Sequence, residues 1–282
     1  MTERSSISPV ARTAFYCCAL RADDAERVRP VCGDTFAARF LDDDIRTQLR
    51  PMLAQSGSSA SNVARHRLID DALRSRLSAD PDLRVILLGA GFDTRAFRMS
   101  GGRWWEFDSP ELVDFKEQRL PAASAPHPLI RAALEPNGGN LDEALGSVAG
   151  DDQAVVVLEG VSMYLTPAML SVTARAIRRH LPRATLICDL MTPAFCRRFS
   201  RSLRKELSQQ GVEFEPGDSH PRNAIEGAGY RVVTHASIVG RAREAGTVKV
   251  PGWILSTFLR ELRDGYQVWT FAPADATNVT GR

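Results

Sequence analysis

The chain has 282 residues, 44% apolar and 25% charged, which suits one large domain or two small ones and excludes a mainly disordered state. Thirty-six Lys and Arg stand against 34 Asp and Glu. A net charge of +2 argues against a dedicated nucleic-acid binder, which needs a basic surplus to neutralise phosphates.

Residues 10–80 read mostly as helix. Segments 34–41 and 62–77 carry apolar residues three and four apart, among them Val63, Leu68, Ile69, Leu73 and Leu77. Asp80-Pro81-Asp82 breaks that pattern. Arg84–Leu88 is a short continuous apolar run ending at Gly89, as in a strand covered on both faces. Similar runs recur at 104–107 before Asp108, at 128–134, at Ala154–Leu158 before Glu159 and at 184–188 before Asp189. Helical stretches at 110–120, 141–145 and Pro167–His180 lie between them, and a basic helix is expected over 195–209. Segments 230–238 and 266–271 read as strands around a helix at 253–262, a closing pair at one sheet edge. Strands alternating with helices predict a doubly wound α/β sheet. The expected organisation is a helical N-terminal extension over 1–80, capping the ligand cleft, and a binding domain over 81–282, together one compact unit.

No apolar run approaches the ~20 residues of a membrane-spanning helix, so no membrane partner is expected. The short apolar stretch at 14–20 ends at Arg21 and Asp23, unlike a secretory leader. Five cysteines, Cys17, Cys18, Cys32, Cys188 and Cys196, show no CxxC spacing, and the five histidines form no HExxH pair. Neither a disulfide framework nor a metal site is expected, and the default location is cytoplasmic. Lysine occurs only at Lys116, Lys205 and Lys249, which leaves thirty-three arginines. A GC-rich coding sequence accounts for most of that bias, while some of the forks are candidates for holding carboxylates.

Four features fall where an α/β sheet binds ligands, at the carboxyl ends of strands. Gly89-Ala90-Gly91-Phe92-Asp93-Thr94-Arg95 follows the first strand. Its glycines admit a ligand close to the backbone, and the next helix would offer free N–H donors. A dinucleotide fold wants a third glycine where β-branched Thr94 stands, so a nucleoside without a pyrophosphate is favoured over a nicotinamide cofactor. Asp108, nineteen residues after Gly89, can accept both ribose hydroxyls, and Glu106 alternates with it toward the other side. Glu159 ends a strand, and Thr166-Pro167 makes a good N-cap and first helical residue. The loop between them crosses the carboxyl edge, with Glu159 facing a cationic group and Ser162 and Tyr164 as candidate substrate contacts. Arg65 would not share a helix face with Asp70, which leaves it for a ligand carboxylate or for solvent. Each feature also has a plainer reading as a turn, a solvated charge or ordinary packing.

The strings RHRLIDDAL, LLGAGFDTRAFR, WEFDSPELVDFKEQRL and LEGVSMYLTP together resemble the leucine carboxyl methyltransferase family, including bacterial members of polyketide and other specialised metabolism. The set GAGFDTR, FDxP-x5-K and EGxxxYL carries the resemblance, which runs from about Thr13 to Phe271. It implies a class I methyltransferase fold: a Rossmann-like seven-stranded sheet, mostly parallel with an antiparallel C-terminal edge. It also implies S-adenosylmethionine as cofactor and a carboxylate acceptor, on a small molecule or a protein C-terminus. By matched position, Gly89, Ala90, Gly91 and Asp93 would face the cofactor, and Asp108 with Ser109 the ribose. Glu159 and Gly160 would lie near the methionyl amino group, and Arg65 at its carboxylate, with Arg67 as the alternative. The RADDAE stretch would place Thr13 and Arg21 near the cleft. Relatives carry Asp-Leu near the adenine where this chain has Ala133-Leu134-Glu135, so Glu135 or the backbone of Leu134 would serve.

A carboxylate acceptor, with an unperturbed pKa of about 4, is ionised at neutral pH and needs no general base. A hydroxyl acceptor of higher pKa would need one, and His127, His220 and His235 are the unassigned candidates. Arg197, Arg198 and Arg201, after the strand end at Asp189, are candidates for an anionic substrate.

Overall fold

The computed structural model describes residues 9–54, 59–135, 138–199, 218–257 and 259–275. One seven-stranded sheet of order β3-β2-β1-β4-β5-β7-β6 organises them. Its strands are β1 Arg84–Leu88, β2 Arg103–Asp108, β3 Leu129–Ala133, β4 Ala154–Leu158, β5 Ala184–Met191, β6 Tyr230–Ser237 and β7 Tyr266–Pro273. β1 to β5 pair in parallel, and β7 runs antiparallel between β5 and β6. The strand order reverses between β1 and β4, so the carboxyl edges of these two neighbours open a crevice.

Helices cover both faces, which is why every residue of β1 and β4 is buried. Three N-terminal helices, α1 Pro9–Ala25, α2 Asp43–Leu53 and α3 Ser59–Ala79, precede the sheet. They are followed by α4 Arg95–Arg98, α5 Pro110–Arg119, α6 Leu141–Gly146, α7 Pro167–His180, α8 Pro193–Phe199, α9 Arg222–Glu226, α10 Ile238–Glu244, α11 Gly252–Thr257 and α12 Arg260–Asp264. On one face, the Phe92 ring packs at 4.5 Å from Phe15, 4.9 Å from Phe40 and 5.6 Å from Phe115, joining α1, the glycine turn and α5. On the other, Leu145, Leu170, Ile177 and Ile225 close the core.

Several expected boundaries move. Segment 34–41 is a helix only as a single 3-10 turn, Ala37–Phe40, because the Asp34 carboxylate is drawn inward by Arg21 and Thr94. The expected helix at 253–262 is divided, with Leu259 off helical geometry as the N-cap of α12. Ile238 belongs to α10, because Ser237 caps that helix by accepting from the Gly240 N–H. The expected helix 195–209 is described as far as Phe199, and its remainder lies outside the described residues. Thr166 does cap α7, accepting from the Met169 N–H, with Pro167 as first residue. Among the described residues no helix is long and apolar enough to cross a membrane.

The inward stripe of α3 is Asn62, Arg65, His66, Ile69, Asp70, Leu73 and Leu77, at helical spacing, so Arg65 and Asp70, expected on different faces, are both buried because the stripe is wide. Its C-terminal half is apolar and its N-terminal half is polar. That polar half points at the crevice.

Candidate active site

A cavity of about 850 Å³ fills the crevice, at the upper end of what a small-molecule site usually offers. Its floor is the glycine turn after β1. Gly89 has φ +70°, and a Cβ there would meet Val161 Cγ2 at 2.5 Å, so the residue must be glycine on both counts. The N–H groups of Gly89 and Ala90 donate to the Phe107 carbonyl at 2.8 and 3.1 Å, tying the turn to β2. Asp108 ends β2 on the cavity wall, accepting from the N–H groups of Gly91 at 2.6 Å and Ser109 at 2.7 Å. Burial pushes its carboxyl up, while those two N–H donors and Lys116 pull it back.

A buried ionic network forms the opposite wall. Arg65 donates from Nε to Glu159 at 3.2 Å and from Nη1 to the Tyr266 hydroxyl at 2.8 Å, with Asp189 at 3.5 Å. Tyr266 donates in turn to Asp189 Oδ2 at 2.7 Å, and the Gly160 N–H donates to Asp189 Oδ1 at 2.7 Å. Arg95, fully buried, pairs with Asp70 at 2.6 Å, with Glu159 at 2.8 Å and with Asp93. His66, Asp93 and Glu159 present ligand atoms within 4.8 Å of one another, a spacing a cation would suit. The Arg95 guanidinium supplies that positive charge.

The sign of each charge is fixed by its neighbours. Burial alone would raise Glu159, but Arg95, the His66 ring and Arg65 outweigh it and hold its carboxyl well below the usual range. Burial and then Arg95 lower His66, which is neutral near pH 7. Both of its ring nitrogens are engaged: Nε2 lies 2.8 Å from Arg98 Nη2, and Nδ1 lies 3.1 Å from Glu159 Oε2. Arg95 Nη2 also lies 2.8 Å from Nδ1, donates to the His66 carbonyl at 3.1 Å and forms an ion pair with Glu159 at 2.8 Å.

The family model described as leucine carboxyl methyltransferase matches residues 14–178. The chain belongs to that family. It is 29% identical over 234 residues to the tetracenomycin polyketide synthesis O-methyltransferase TcmP of Streptomyces glaucescens, covering 79% of this chain and 80% of that one. Over 183 residues it is 33% identical to a Streptomyces avermitilis protein provisionally named an S-adenosyl-L-methionine-dependent methyltransferase, covering 58% of this chain and 62% of that one. The crystal structure of a DUF574 family protein from Streptomyces avermitilis MA-4680 shares the fold, with a TM-score of 0.58 at 12% identity, over 93% of this chain and 97% of that one. The sheet, with its antiparallel strand next to the last edge, is that of class I methyltransferases.

In this family member the cavity gathers most of the residues marked in the sequence. Gly89, Ala90, Gly91, Asp93, Asp108, Ser109 and Leu134 line one side. Arg65, Glu159, Gly160, Tyr164, Thr13 and Arg21 line the other, with Tyr164 donating to Thr13 at 3.2 Å. Ser162 is not in the lining, because its hydroxyl donates to the Asp189 carbonyl. Asp93 sits at the wall, but its two oxygens serve the Arg95 N–H and guanidinium. The helix N-terminus expected after the glycine turn is a single turn, α4, whose Arg95 N–H is already taken by Asp93. Thr94, where a dinucleotide fold wants glycine, donates its buried hydroxyl to Asp34 at 2.6 Å. The N–H groups of Leu134 and Glu135 are also committed, to the Asp108 carbonyl at 2.7 Å and to Asn140 at 2.8 Å. An adenine at Leu134 would therefore meet its side chain and carbonyl rather than its N–H.

Arg67 turns to Asp71 at 2.8 Å, which leaves Arg65 as the arginine of that motif in the cavity. Arg197 and Arg198 are exposed, and Arg201 lies outside the described residues. His127 accepts from the Gly101 N–H, while His220 and His235 pack on the Trp269 ring. The sequence reading missed His66, Asp189 and Tyr266. His66 stands inside the quoted RHR string, and Asp189 follows an apolar run toward the carboxyl end of β5, as Asp108 does in β2, so both carried a signal.

Proposed function

We propose that this methyltransferase passes the methyl group of S-adenosylmethionine to a carboxylate oxygen of a small, largely apolar metabolite of polyketide type. The observation that carries the reading is the cavity of about 850 Å³ at the β1/β4 edge. It holds Asp108 on one wall, the Arg65–Glu159 pair on the other, and an apolar end beyond them.

The residues fit the cofactor. Asp108 has lone pairs beyond the two used by Gly91 and Ser109, and these suit ribose hydroxyls. Among the described residues Arg65 Nη2 takes no hydrogen bond and lies against Gly160, so one arm of its fork remains for a carboxylate. Glu159, held ionised, suits an ammonium. When bound, the cofactor supplies a methyl group on a positively charged sulfur.

The chain's own part is then positioning. Tyr16, Met163, Met191, Phe195 and Leu262 wall the apolar end, where they exclude water and steer an acceptor toward the ionic wall. An ionised carboxylate attacks in line without losing a proton. None of His127, His220 and His235 lines the cavity; His66 does, and both of its ring nitrogens are engaged. That favours a carboxylate over a hydroxyl acceptor, which would want a free base. Similarity to TcmP supports a metabolite over a protein terminus. The N-terminal helices, with Thr13, Tyr16 and Arg21 in the lining, act as the cap of the cleft.

Calorimetry tests the reading. S-adenosylhomocysteine is expected to bind the wild type and NADH not to bind. Asp108→Ala is expected to abolish the binding. Absence of affinity for both S-adenosylmethionine and S-adenosylhomocysteine would overturn the proposal.

A further inference from the structure

Lys116, the last residue of the FDxP-x5-K string, lies outside the cleft lining and has no role in the chemistry above. It is one of three lysines in a chain that otherwise uses arginine. It stands on α5 with its side chain 2% exposed, and its ammonium lies 2.8 Å from Glu106 Oε2. Arg131 Nε, from β3, reaches the same oxygen at 2.8 Å. Both partners are as deeply buried as the lysine. Lys116, Arg131, Glu106, Asp108 and Gly91 share the wall of a cavity of about 10 Å³ beneath the glycine turn.

The charges in this pocket are two cations and, from Glu106, one anion. Asp108, when ionised, is the second carboxylate on the pocket wall beside those two cations, and Glu117 answers Arg131 from outside the pocket. An uncompensated ion in a low-dielectric interior is costly, so the quartet couples the lysine to the aspartate. Arg131 spends much of its charge elsewhere, on Glu117 at 2.7 Å and the Leu120 carbonyl at 2.6 Å. That leaves the ammonium as the cation facing Asp108 from below. The main cavity is also lined by Asp93, paired with Arg95, by Glu135, by Arg21, paired with Asp34, and by Arg65, His66 and Glu159 of the ionic wall. A compact ammonium also fits where a guanidinium fork would need more room.

We propose that Lys116 is a positioning residue for the cofactor, holding Asp108 as an ionised acceptor aimed at the ribose. The proposal rests on the reading of Asp108 as the ribose acceptor. Removing the ammonium leaves Asp108 easier to protonate, so affinity for the nucleoside is lost at a higher pH.

The test is calorimetric titration of the full chain with S-adenosylhomocysteine across the acidic range, with donor kinetics alongside. Lys116→Met is expected to move the acidic limb of affinity up by about one pH unit. It is expected to raise the donor KM several-fold, by about 1 kcal/mol or about fivefold, while kcat at saturating donor stays near wild type. Glu106→Gln, which leaves both cations and removes the competing anion, is expected to move the limb the opposite way. A Lys116→Met limb coincident with wild type, whatever the loss of thermal stability, overturns the proposal. If Lys116→Met does not fold, Glu106→Gln decides: an unmoved or raised limb overturns the proposal equally. Near-normal binding by Asp108→Ala overturns instead the ribose reading beneath it.

Discussion

At Gly160 the backbone takes φ +69°, and a Cβ there would stand 3.1 Å from Arg65 Nη2. That nitrogen is the arm of the arginine left for a ligand carboxylate. Gly160→Ala therefore strains the loop by roughly 1–2 kcal/mol and crowds the donor as well. Affinity for S-adenosylhomocysteine is expected to fall about tenfold or more, read by calorimetry, and an unchanged affinity would count against Arg65 as the carboxylate site. The Tyr266 hydroxyl bridges the same arginine to Asp189. Tyr266→Phe removes a buried hydrogen bond at each end, one from Arg65 and one to Asp189. A stability loss of about 2 kcal/mol is expected by urea denaturation, together with a raised donor KM as Arg65 loses its anchor. Wild-type KM in that variant would show that Arg65 is held by Glu159 alone.

At the scale of elements, Arg95 joins three pieces of chain. It reaches Asp70 on α3, Asp93 in the turn after β1 and Glu159 after β4. Arg95→Met would strand those carboxylates in the interior, an effect of about 3–5 kcal/mol that a urea midpoint would show directly. A loss below 1 kcal/mol would mean that Arg98 and Arg65 take over the charge. The same pairs mark how far the sequence could be read. α3 was legible because its apolar residues recur at helical spacing, and β1 and β4 because a strand covered on both faces is a continuous apolar run. Asp108, Glu159 and the glycine turn were legible because strand ends are where such sheets bind ligands. The ion network was not legible, since a charge names no partner: Asp70 and Arg95 are 25 positions apart, and Arg65 and Tyr266 are 201. Segment 34–41 has helical spacing, yet the partners of Asp34 lie on α1 and in the turn after β1, and they pull it out of the helix. Ser162 lies in the right loop, but no pattern shows that its hydroxyl turns to a backbone carbonyl.

Over the whole molecule the arginine excess divides in two. Many arginines are exposed, as composition alone would place them. Arg21, Arg65, Arg95 and Arg98 are instead buried against Asp34, Asp70, Asp93, Glu159 and Asp189, so the interior near the site depends on ionisation. Burial would raise Asp34, but Arg21 and Arg98 outweigh it and hold it at about 2, and Asp70 and Glu159 are likewise depressed. Groups lowered in this way stabilise the fold fully above an unfolded pKa of about 4, and the contribution is lost as pH falls toward their folded values. His66 acts earlier and with the same sign. Its folded pKa is depressed by burial and Arg95, so the unfolded chain takes up its proton first, below about 6.5. The melting temperature is therefore expected to be level near pH 7, to slope downward below about 6.5 and to fall more steeply below about 4. His220, lowered to about 4 by burial and then Arg222, adds a slope of the same sign through the upper window. His66→Gln should remove about 1.4 kcal/mol per pH unit from that window and leave the steeper carboxylate limb intact. If the upper slope survives in His66→Gln and disappears in His220→Gln, the slope belongs to His220 at the Trp269 face, and His66 takes up its proton as readily in the folded chain as in the unfolded one.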